Sequence, residues 1–244
     1  MSDPREEDLR VYRGIVEYCE TYNIPREHLL EILEDQKVLP MIRGKASEYI
    51  GTAFLRQVLN PVEWTVDKLN LNPQPGTTDR DIRITFRRTG TELTAETKTA
   101  VRGSFRLGTR NNPFPHFKVK CHKSRSNLRR QDTTNDAYLV GEFDLLLCNV
   151  SNAIFRNKVN APGMHVIDDP EAVEWLMDFY DVSDEKALFR KAYDDWRLCL
   201  PVSIADPDGV IPRNPVVTME DGNDWFGPES LAINLKSLVN GVNG

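Results

Sequence analysis

The stretch GTTDRDIRITFRRTGTELTAETKTA, residues 76–100, decides the fold predicted for this chain. Apolar Ile82, Ile84 and Phe86 alternate with polar residues, which is the period-two pattern of a β-strand. A Thr-Gly pair at residues 89–90 supplies a turn, and a second strand follows it. The segment therefore predicts two neighbouring strands that pair as an antiparallel hairpin.

Two carboxylates mark this hairpin as a candidate site. Antiparallel pairing brings Asp81, at the start of one strand, beside Glu96, near the end of the other. Lys98 projects from the same face as Glu96, because residues i and i+2 of a strand point to the same side. Close carboxylates repel each other unless a positive group lies between them, and Mg²⁺ prefers such oxygen ligands. Asp79 is a competing ligand, but it falls in the loop before the alternation begins. An ordinary cross-strand ion pair is the alternative interpretation.

The order Asp81, then Glu96-Thr97-Lys98, resembles the signature of the PD-(D/E)XK nucleases, in particular the type II restriction endonucleases. The resemblance implies that Asp81, Glu96 and the backbone carbonyl of Thr97 bind Mg²⁺, which lowers the pKa of a water molecule. It implies that Lys98 orients this water or stabilises negative charge on the phosphate. The expected products carry a 5′-phosphate and a 3′-hydroxyl.

A helix is predicted before the hairpin, at residues 43–59, and it carries Glu48. In many restriction endonucleases a glutamate on the helix before the catalytic sheet points into the active site and helps to hold a metal. Glu48 matches that position in order, and an ordinary solvent-facing glutamate is the alternative. Residues 63–69 then alternate as a strand.

After the hairpin, the nearly continuous apolar run within residues 136–150 predicts a central strand covered on both faces. A helix is predicted before it, at residues 124–132. The element order is therefore helix, three strands, helix, strand. This order resembles the αβββαβ core of the restriction endonucleases, so the expected fold is α/β with a mixed α+β sheet.

The charge distribution predicts a polyanionic partner. The chain has a net charge of −6, yet residues 80–130 contain 14 Lys or Arg and three acidic residues. That segment carries +11 and the rest of the chain −17. A basic block in an acidic protein is typical of nucleic-acid binding, although a solvated charged face is the alternative.

The candidate DNA-binding residues all lie in this block after the hairpin. Residues on or near the predicted helix suit reading of base edges, since Arg pairs with guanine and Asn with adenine. The others suit phosphate contacts, and the sequence does not separate the two roles residue by residue. The full set is Arg102, Arg106, Arg110, Lys118, Lys120, His122, Lys123, Arg125, Ser126, Asn127, Arg129 and Arg130.

Three regions are expected. Residues 1–40 predict an N-terminal helical hairpin packed on the core, and residues 41–150 the catalytic core with its basic segment. Residues 151–244 predict a helical and irregular C-terminal extension of the same globular unit, with amphipathic helices at 170–180 and 183–198.

The composition predicts a soluble protein of an intracellular, reducing compartment, and the resemblance implies the prokaryotic cytoplasm. The four cysteines form no Cys-x-x-Cys pair, which argues against structural zinc and disulfides. No apolar run of membrane-spanning length and no signal peptide is found. The resemblance implies a homodimer that cuts double-stranded DNA at a specific site, with a companion DNA methyltransferase in the cell. A junction-resolving or repair nuclease of the same fold, and a non-catalytic sequence-specific DNA-binding protein, are the alternatives.

Overall fold

The computed structural model describes residues 4–69, 80–110, 112–123, 136–158, 161–219 and 224–242. The fold is mixed α/β, with a mixed and mostly antiparallel sheet. The chain divides into two compact units, Met1–Ala46 and Ser47–Gly244. The predicted core from residue 47 onward and the predicted C-terminal extension belong to the second unit.

The first unit is helical, as the sequence predicts. It contains α1 (Pro4–Thr21), a 3-10 turn at Arg26–His28 and α2 (Leu29–Glu34). Helix α3 (Val38–Val58) begins in this unit and continues into the second. The predicted helix at residues 43–59 therefore starts five residues earlier, because Pro40 is tolerated within its first turn.

The second unit contains ten strands and the remaining helices among the described residues. The strands are β1 (Trp64–Lys68), β2 (Ile82–Phe86), β3 (Thr91–Thr99), β4 (His116–Lys118), β5 (Leu145–Asn149), β6 (Phe155–Lys158), β7 (Ala161–Val166), β8 (Trp196–Cys199), β9 (Val216–Thr218) and β10 (Trp225–Phe226). The helices are α4 (Ser151–Ile154), α5 (Pro170–Tyr180), α6 (Glu185–Asp194), α7 (Pro201–Ile204), a 3-10 turn at Pro228–Ser230 and α8 (Leu231–Val242).

The central sheet has six strands in the order β1-β2-β3-β5-β8-β10. Strands β1, β2 and β3 are antiparallel neighbours, which confirms the predicted hairpin. Strand β5 then pairs with β3 in parallel, and β8 and β10 continue the sheet in antiparallel order. A parallel neighbour requires a crossover, which the chain makes between residues 100 and 144.

The sheet has an apolar cluster on each face. Side chains of α3 and α8 cover one face, where Leu55 and Leu235 lie in one cluster with Leu145 of β5. The other cluster contains Leu146, next in sequence, together with Leu176 of α5. Every residue of β5 is buried, as expected for a strand covered on both sides.

The central strand is shorter than the predicted run of residues 136–150. Residues 140–142 form a turn in which Gly141 adopts a φ of 93°, and the strand begins only at Leu145. Asp144 fixes that start, because its carboxylate accepts two hydrogen bonds from Thr94. The Thr94 backbone N–H donates one at 2.7 Å and the Thr94 hydroxyl donates the other at 3.0 Å.

The C-terminal segment contains the two short strands that the sequence predicts after residue 207, β9 and β10, but it corrects the prediction at residues 195–198. The helix expected at 183–198 ends at Asp194, and Asp184 caps its beginning. Trp196 and Leu198 are buried and alternate with Arg197, so they form strand β8 rather than a helical stripe. Strands β8 and β10 therefore extend the central sheet beyond β5.

Within the part of the chain that the structure describes, no helix combines the length and apolarity that crossing a membrane requires. The helix predicted at residues 124–132 lies outside the described residues, as does Asp79.

Candidate active site

Asp81 and Glu96 meet at one end of the β2–β3 pair. Ile82 lies opposite Ala95 in this register, so the next residues along, Asp81 and Glu96, are brought side by side. The backbone N–H of Thr97 donates a hydrogen bond of 2.9 Å to Asp81 Oδ2. Asp81 is 7% exposed and Glu96 is 4% exposed, so both acids lie inside the protein.

The pKa of Asp81 is affected by two neighbouring acids. Burial, followed by the charges of Glu96 and Glu48, raises the pKa of Asp81 to about 8. The hydrogen bond from Thr97 and the charge of Lys98 oppose this rise without cancelling it. A positive charge placed between the acids would relieve the repulsion that raises this pKa.

Lys98, Glu96 and Tyr138 form a closed triangle of polar contacts. Lys98 Nζ lies 2.6 Å from Glu96 Oε1 and donates a bond of 2.8 Å to the Tyr138 hydroxyl. That hydroxyl donates in turn to Glu96 Oε1 at 3.0 Å. Burial lowers the pKa of Lys98, but the Glu96 charge and these hydrogen bonds outweigh burial and leave the pKa well above its usual value. Burial, reinforced by Glu96, raises the pKa of Tyr138 as well, so its hydroxyl keeps the proton that it donates.

Glu48 approaches the same site from α3. The residue is 9% exposed, and its carboxylate lies 2.7 Å from Lys68 Nζ of β1. The Lys68 ammonium also donates to the carbonyl oxygens of Leu69, at 2.8 Å, and Asp81, at 3.3 Å. Glu48 is therefore a buried residue of the site, and the alternative of a solvent-facing helix glutamate is wrong.

A glycine lets α3 approach the strand that carries the motif. A Cβ built on Gly51 would lie 2.9 Å from Thr97 Oγ1, closer than a real side chain allows, and 3.2 Å from Thr97 Cγ2, which is a tight contact. Thr97 is buried, and among the described residues its hydroxyl has no hydrogen-bond partner. The close contact at Gly51 sets how near Glu48, three residues earlier, comes to Asp81.

The donor set fits a hard divalent cation on its chemistry. Asp81, Glu96 and the Thr97 carbonyl offer oxygen atoms only, which Mg²⁺ prefers, and the repulsion at Asp81 favours a bound cation. Two of the acids already contact lysine ammonium groups. Among the described residues, no group of three or more His, Cys, Asp or Glu side chains is arranged to hold a metal ion.

The basic segment after β3 exposes three of its side chains on one side. Lys118, Lys120 and His122 are exposed and alternate with buried neighbours, as in a strand. The Lys120 N–H donates to the Thr99 carbonyl at 3.0 Å, which ties this ladder to the end of β3. We call Lys118, Lys120 and His122 the basic ladder.

The remaining predicted DNA-binding residues divide into three groups. Arg102, Arg106 and Arg110 are exposed. Lys123 is only 8% exposed, and its ammonium lies 2.7 Å from Glu142 Oε1, so it is an internal residue and not part of the basic ladder. The last group lies outside the described residues and consists of Arg125, Ser126, Asn127, Arg129 and Arg130.

Tyr138 and Lys68 are site residues that sequence reasoning missed. The sequence pattern places Tyr138 in an apolar strand and Lys68 at a polar position of an alternating one. Lys68 could have been found from its position, because it follows Trp64 and Val66 in the alternation of β1 and so lies on the side of the sheet that α3 covers. Nothing local distinguishes Tyr138, because its contacts depend on the fold of the crossover.

Comparisons with known proteins supply no relative. The chain matches no protein-family model, no curated protein and no solved structure. The function must therefore be inferred from the residues and geometry of the site.

Proposed function

We propose that this protein is a Mg²⁺-dependent DNA endonuclease of the PD-(D/E)XK kind, acting as a type II restriction endonuclease. The observation that carries the proposal is the convergence of Asp81, Glu96 and Glu48 with Lys98 at one end of the β2–β3 pair. Asp81 and Glu96, with the Thr97 carbonyl, would provide oxygen ligands for a cation, and Lys98 provides a charge that can act on a phosphate.

The topology supports the same proposal. A helix, α3, precedes three antiparallel strands, and a fourth strand, β5, lies parallel to the third. This arrangement agrees with the helix, the three strands and the parallel fourth strand of the proposed αβββαβ core, with Asp81 directly before the second strand and Glu96 on the third. The second helix of that core is expected at residues 124–132, outside the described residues.

Each residue has a role that follows from its position. Asp81, Glu96 and the Thr97 carbonyl would hold Mg²⁺, with Glu48 beside them. When bound, Mg²⁺ supplies positive charge near the scissile phosphate and lowers the pKa of a water molecule. The Lys98 ammonium can donate a hydrogen bond to the attacking water or to a phosphate oxygen.

The reaction is a hydrolysis. The water oxygen forms a bond to phosphorus as the bond between phosphorus and the 3′ oxygen breaks. The water loses a proton and the 3′ oxygen gains one, so the products are a 5′-phosphate and a 3′-hydroxyl.

Double-stranded DNA is the proposed substrate. The basic ladder is hydrogen-bonded to the end of β3 through the Lys120 N–H and the Thr99 carbonyl, so side chains that suit phosphates lie close in space to the motif that would cut. A homodimer, a companion methyltransferase and a cytoplasmic location are parts of this proposal. Light scattering of the purified chain tests the homodimer directly.

Incubation of the protein with phage-length DNA, in Mg²⁺ and in EDTA, tests the function. We expect discrete fragments only in Mg²⁺, and end-sequencing would give the site. Glu96→Gln should abolish cutting, whereas Glu92→Gln, a matched change at an exposed acid on the same strand, should not. Intact DNA in every lane would refute the proposed activity.

A non-catalytic DNA-binding protein is the second candidate. The observation that favours it is that Glu96 and Glu48 are already paired with Lys98 and Lys68, at 2.6 and 2.7 Å. In that case DNA is shifted on a gel with and without Mg²⁺ and is never cut. A junction-resolving nuclease of the same fold would instead cut branched DNA only.

A further inference from the structure

The Tyr138 hydroxyl contacts both Glu96 and Lys98 through a single atom. It accepts from Lys98 Nζ at 2.8 Å and donates to Glu96 Oε1 at 3.0 Å. The Lys98 ammonium also lies 4.8 Å from the centre of the Tyr138 ring, within the range of a cation–π contact. The hydroxyl therefore determines where the lysine of the motif stands relative to the acid.

The Tyr138 ring is held from other sides by groups that do not belong to the motif. Phe143 packs edge-on against it, with ring centres 5.2 Å apart and planes at 79°. The Lys123 ammonium lies 5.6 Å from its centre. These contacts fix the ring, so the hydroxyl is held in place before any substrate binds.

An internal ion pair fastens the backbone around Tyr138. Lys123 lies 2.7 Å from Glu142 Oε1, and Glu142 Oε2 accepts the Leu139 N–H at 2.8 Å. The Lys123 N–H donates to the Asp136 carbonyl at 2.8 Å. Residues on both sides of Tyr138 are thus tied to Lys123, which explains why this lysine is buried rather than exposed with the basic ladder.

We infer that Tyr138 is a positioning residue of the proposed nuclease site, whose hydroxyl holds the Lys98 ammonium in place and competes with the divalent cation for Glu96. The inference rests on the proposed function. Two quantities, the cutting rate and the cation affinity, should change in opposite directions. Loss of the hydroxyl slows cutting, because Lys98 loses an acceptor, and it strengthens cation binding, because Glu96 loses a donor.

Tyr138→Phe removes the hydroxyl and keeps the ring, so the variant should fold. Tyr180→Phe is a matched control, because Tyr180 is a partly buried tyrosine that donates a 2.7 Å bond to a different carboxylate, Asp195 Oδ2. Both variants lose one hydrogen bond from a hydroxyl to a carboxylate, and Tyr138→Phe also loses the bond from Lys98, so its melting temperature should fall at least as far as that of Tyr180→Phe.

Three measurements on each protein test the inference: Ca²⁺ affinity by calorimetry, DNA affinity in Ca²⁺, and the single-turnover cutting rate in Mg²⁺. For Tyr138→Phe we expect cutting at least about tenfold slower, unchanged DNA affinity, and Ca²⁺ binding about threefold tighter. Tyr180→Phe should match the wild type in all three.

The outcomes separate this inference from the proposed function. If the wild-type protein cuts DNA and binds Ca²⁺, but Tyr138→Phe behaves like Tyr180→Phe, the inference is wrong and the function stands. If the wild-type protein neither cuts DNA nor binds Ca²⁺, the proposed function fails and the inference fails with it.

Discussion

The backbone N–H of Thr97 donates a 2.9 Å hydrogen bond to Asp81 Oδ2, so the residue between Glu96 and Lys98 holds the third member of the motif in place. The bond joins β3 to the residue that precedes β2. The same residue packs against Gly51 of α3 through its side chain. Thr97 therefore couples the positions of Asp81, the motif strand and the helix that carries Glu48.

Replacement of Lys98 should separate cutting from binding. Lys98→Met removes the ammonium that faces Glu96, so we expect the cutting rate to fall on the order of 100-fold or more. DNA affinity in Ca²⁺ should be retained, since Lys98 is largely buried. Single-turnover digestion and a gel-shift titration measure the two effects.

Lys186→Met, at an exposed position of α6, is the control for Lys98→Met and should leave both quantities unchanged. A cutting rate of Lys98→Met within about threefold of the wild type would contradict a role for Lys98 in the reaction.

The raised pKa of Asp81 predicts how stability depends on pH without metal. Its folded pKa of about 8 exceeds the ordinary value of 3.8, so between these values the folded protein holds a proton that the unfolded chain has released. The Asp81 contribution to the free energy of unfolding therefore falls as pH rises from about 4 to 8, by at most about 1.4 kcal/mol per pH unit. Asp81→Asn removes this contribution, so the free energy of unfolding of the variant should rise relative to that of the wild type as pH rises.

Urea denaturation in EDTA at several pH values from 5 to 8 measures this effect. Glu96→Gln is an informative comparison, because it removes one cause of the raised pKa and leaves burial, so the slope should shrink without vanishing. Wild type and Asp81→Asn curves that run parallel across this range would show that Asp81 ionises normally.

The sequence was sufficient to predict the residues whose positions depend on local pattern. Asp81 and Glu96 come together because strand alternation and one turn set the register of a hairpin. The helix with Glu48 follows from its own periodicity. These features each depend on neighbours within a short stretch of chain.

The residues that sequence reasoning missed depend on contacts across the fold. Tyr138 and Glu96 are 42 positions apart, and Tyr138 precedes a turn that has no periodicity. The strand β8 was missed for a related reason: Trp196 and Leu198 follow an amphipathic helix, and four residues are too few to show that the period has changed.

The contact between Gly51 and Thr97 predicts an unusual result for a helix substitution. Gly51→Ala should destabilise the protein by about 1–3 kcal/mol, although alanine favours helix, because its Cβ would meet a buried β-branched side chain at 2.9 Å. Gly44→Ala, in the same helix with no atom within 4 Å of the new Cβ, should be neutral or stabilising.

A double variant identifies the cause of the Gly51 effect. Thr97→Ala removes both atoms that the new Cβ would meet, so Gly51→Ala combined with Thr97→Ala should recover most of the missing stability. Chemical denaturation of the two single variants and the double variant gives the coupling energy. Additive effects would show that the two residues do not press on each other.

The basic ladder predicts a change in the salt dependence of DNA binding. Lys118 and Lys120 are exposed on one side of the segment that follows β3, so each can neutralise a phosphate. Replacing both by Gln should weaken binding to all sequences alike and reduce the slope of log affinity against log salt by about 0.9 for each phosphate that is no longer neutralised. Fluorescence anisotropy between low and moderate salt measures this slope.

A control pair of cations lies at the turn end of the β2–β3 hairpin, opposite the end that carries Asp81 and Glu96. Arg87 and Arg88 occupy the exposed turn between β2 and β3, away from Asp81 and Glu96, so replacing both by Gln removes the same charge at a different place. We expect that variant to keep most of the wild-type slope, because the DNA would lie along the ladder. If both pairs reduce the slope equally, the protein binds DNA through its overall charge, and the ladder does not direct DNA to the site.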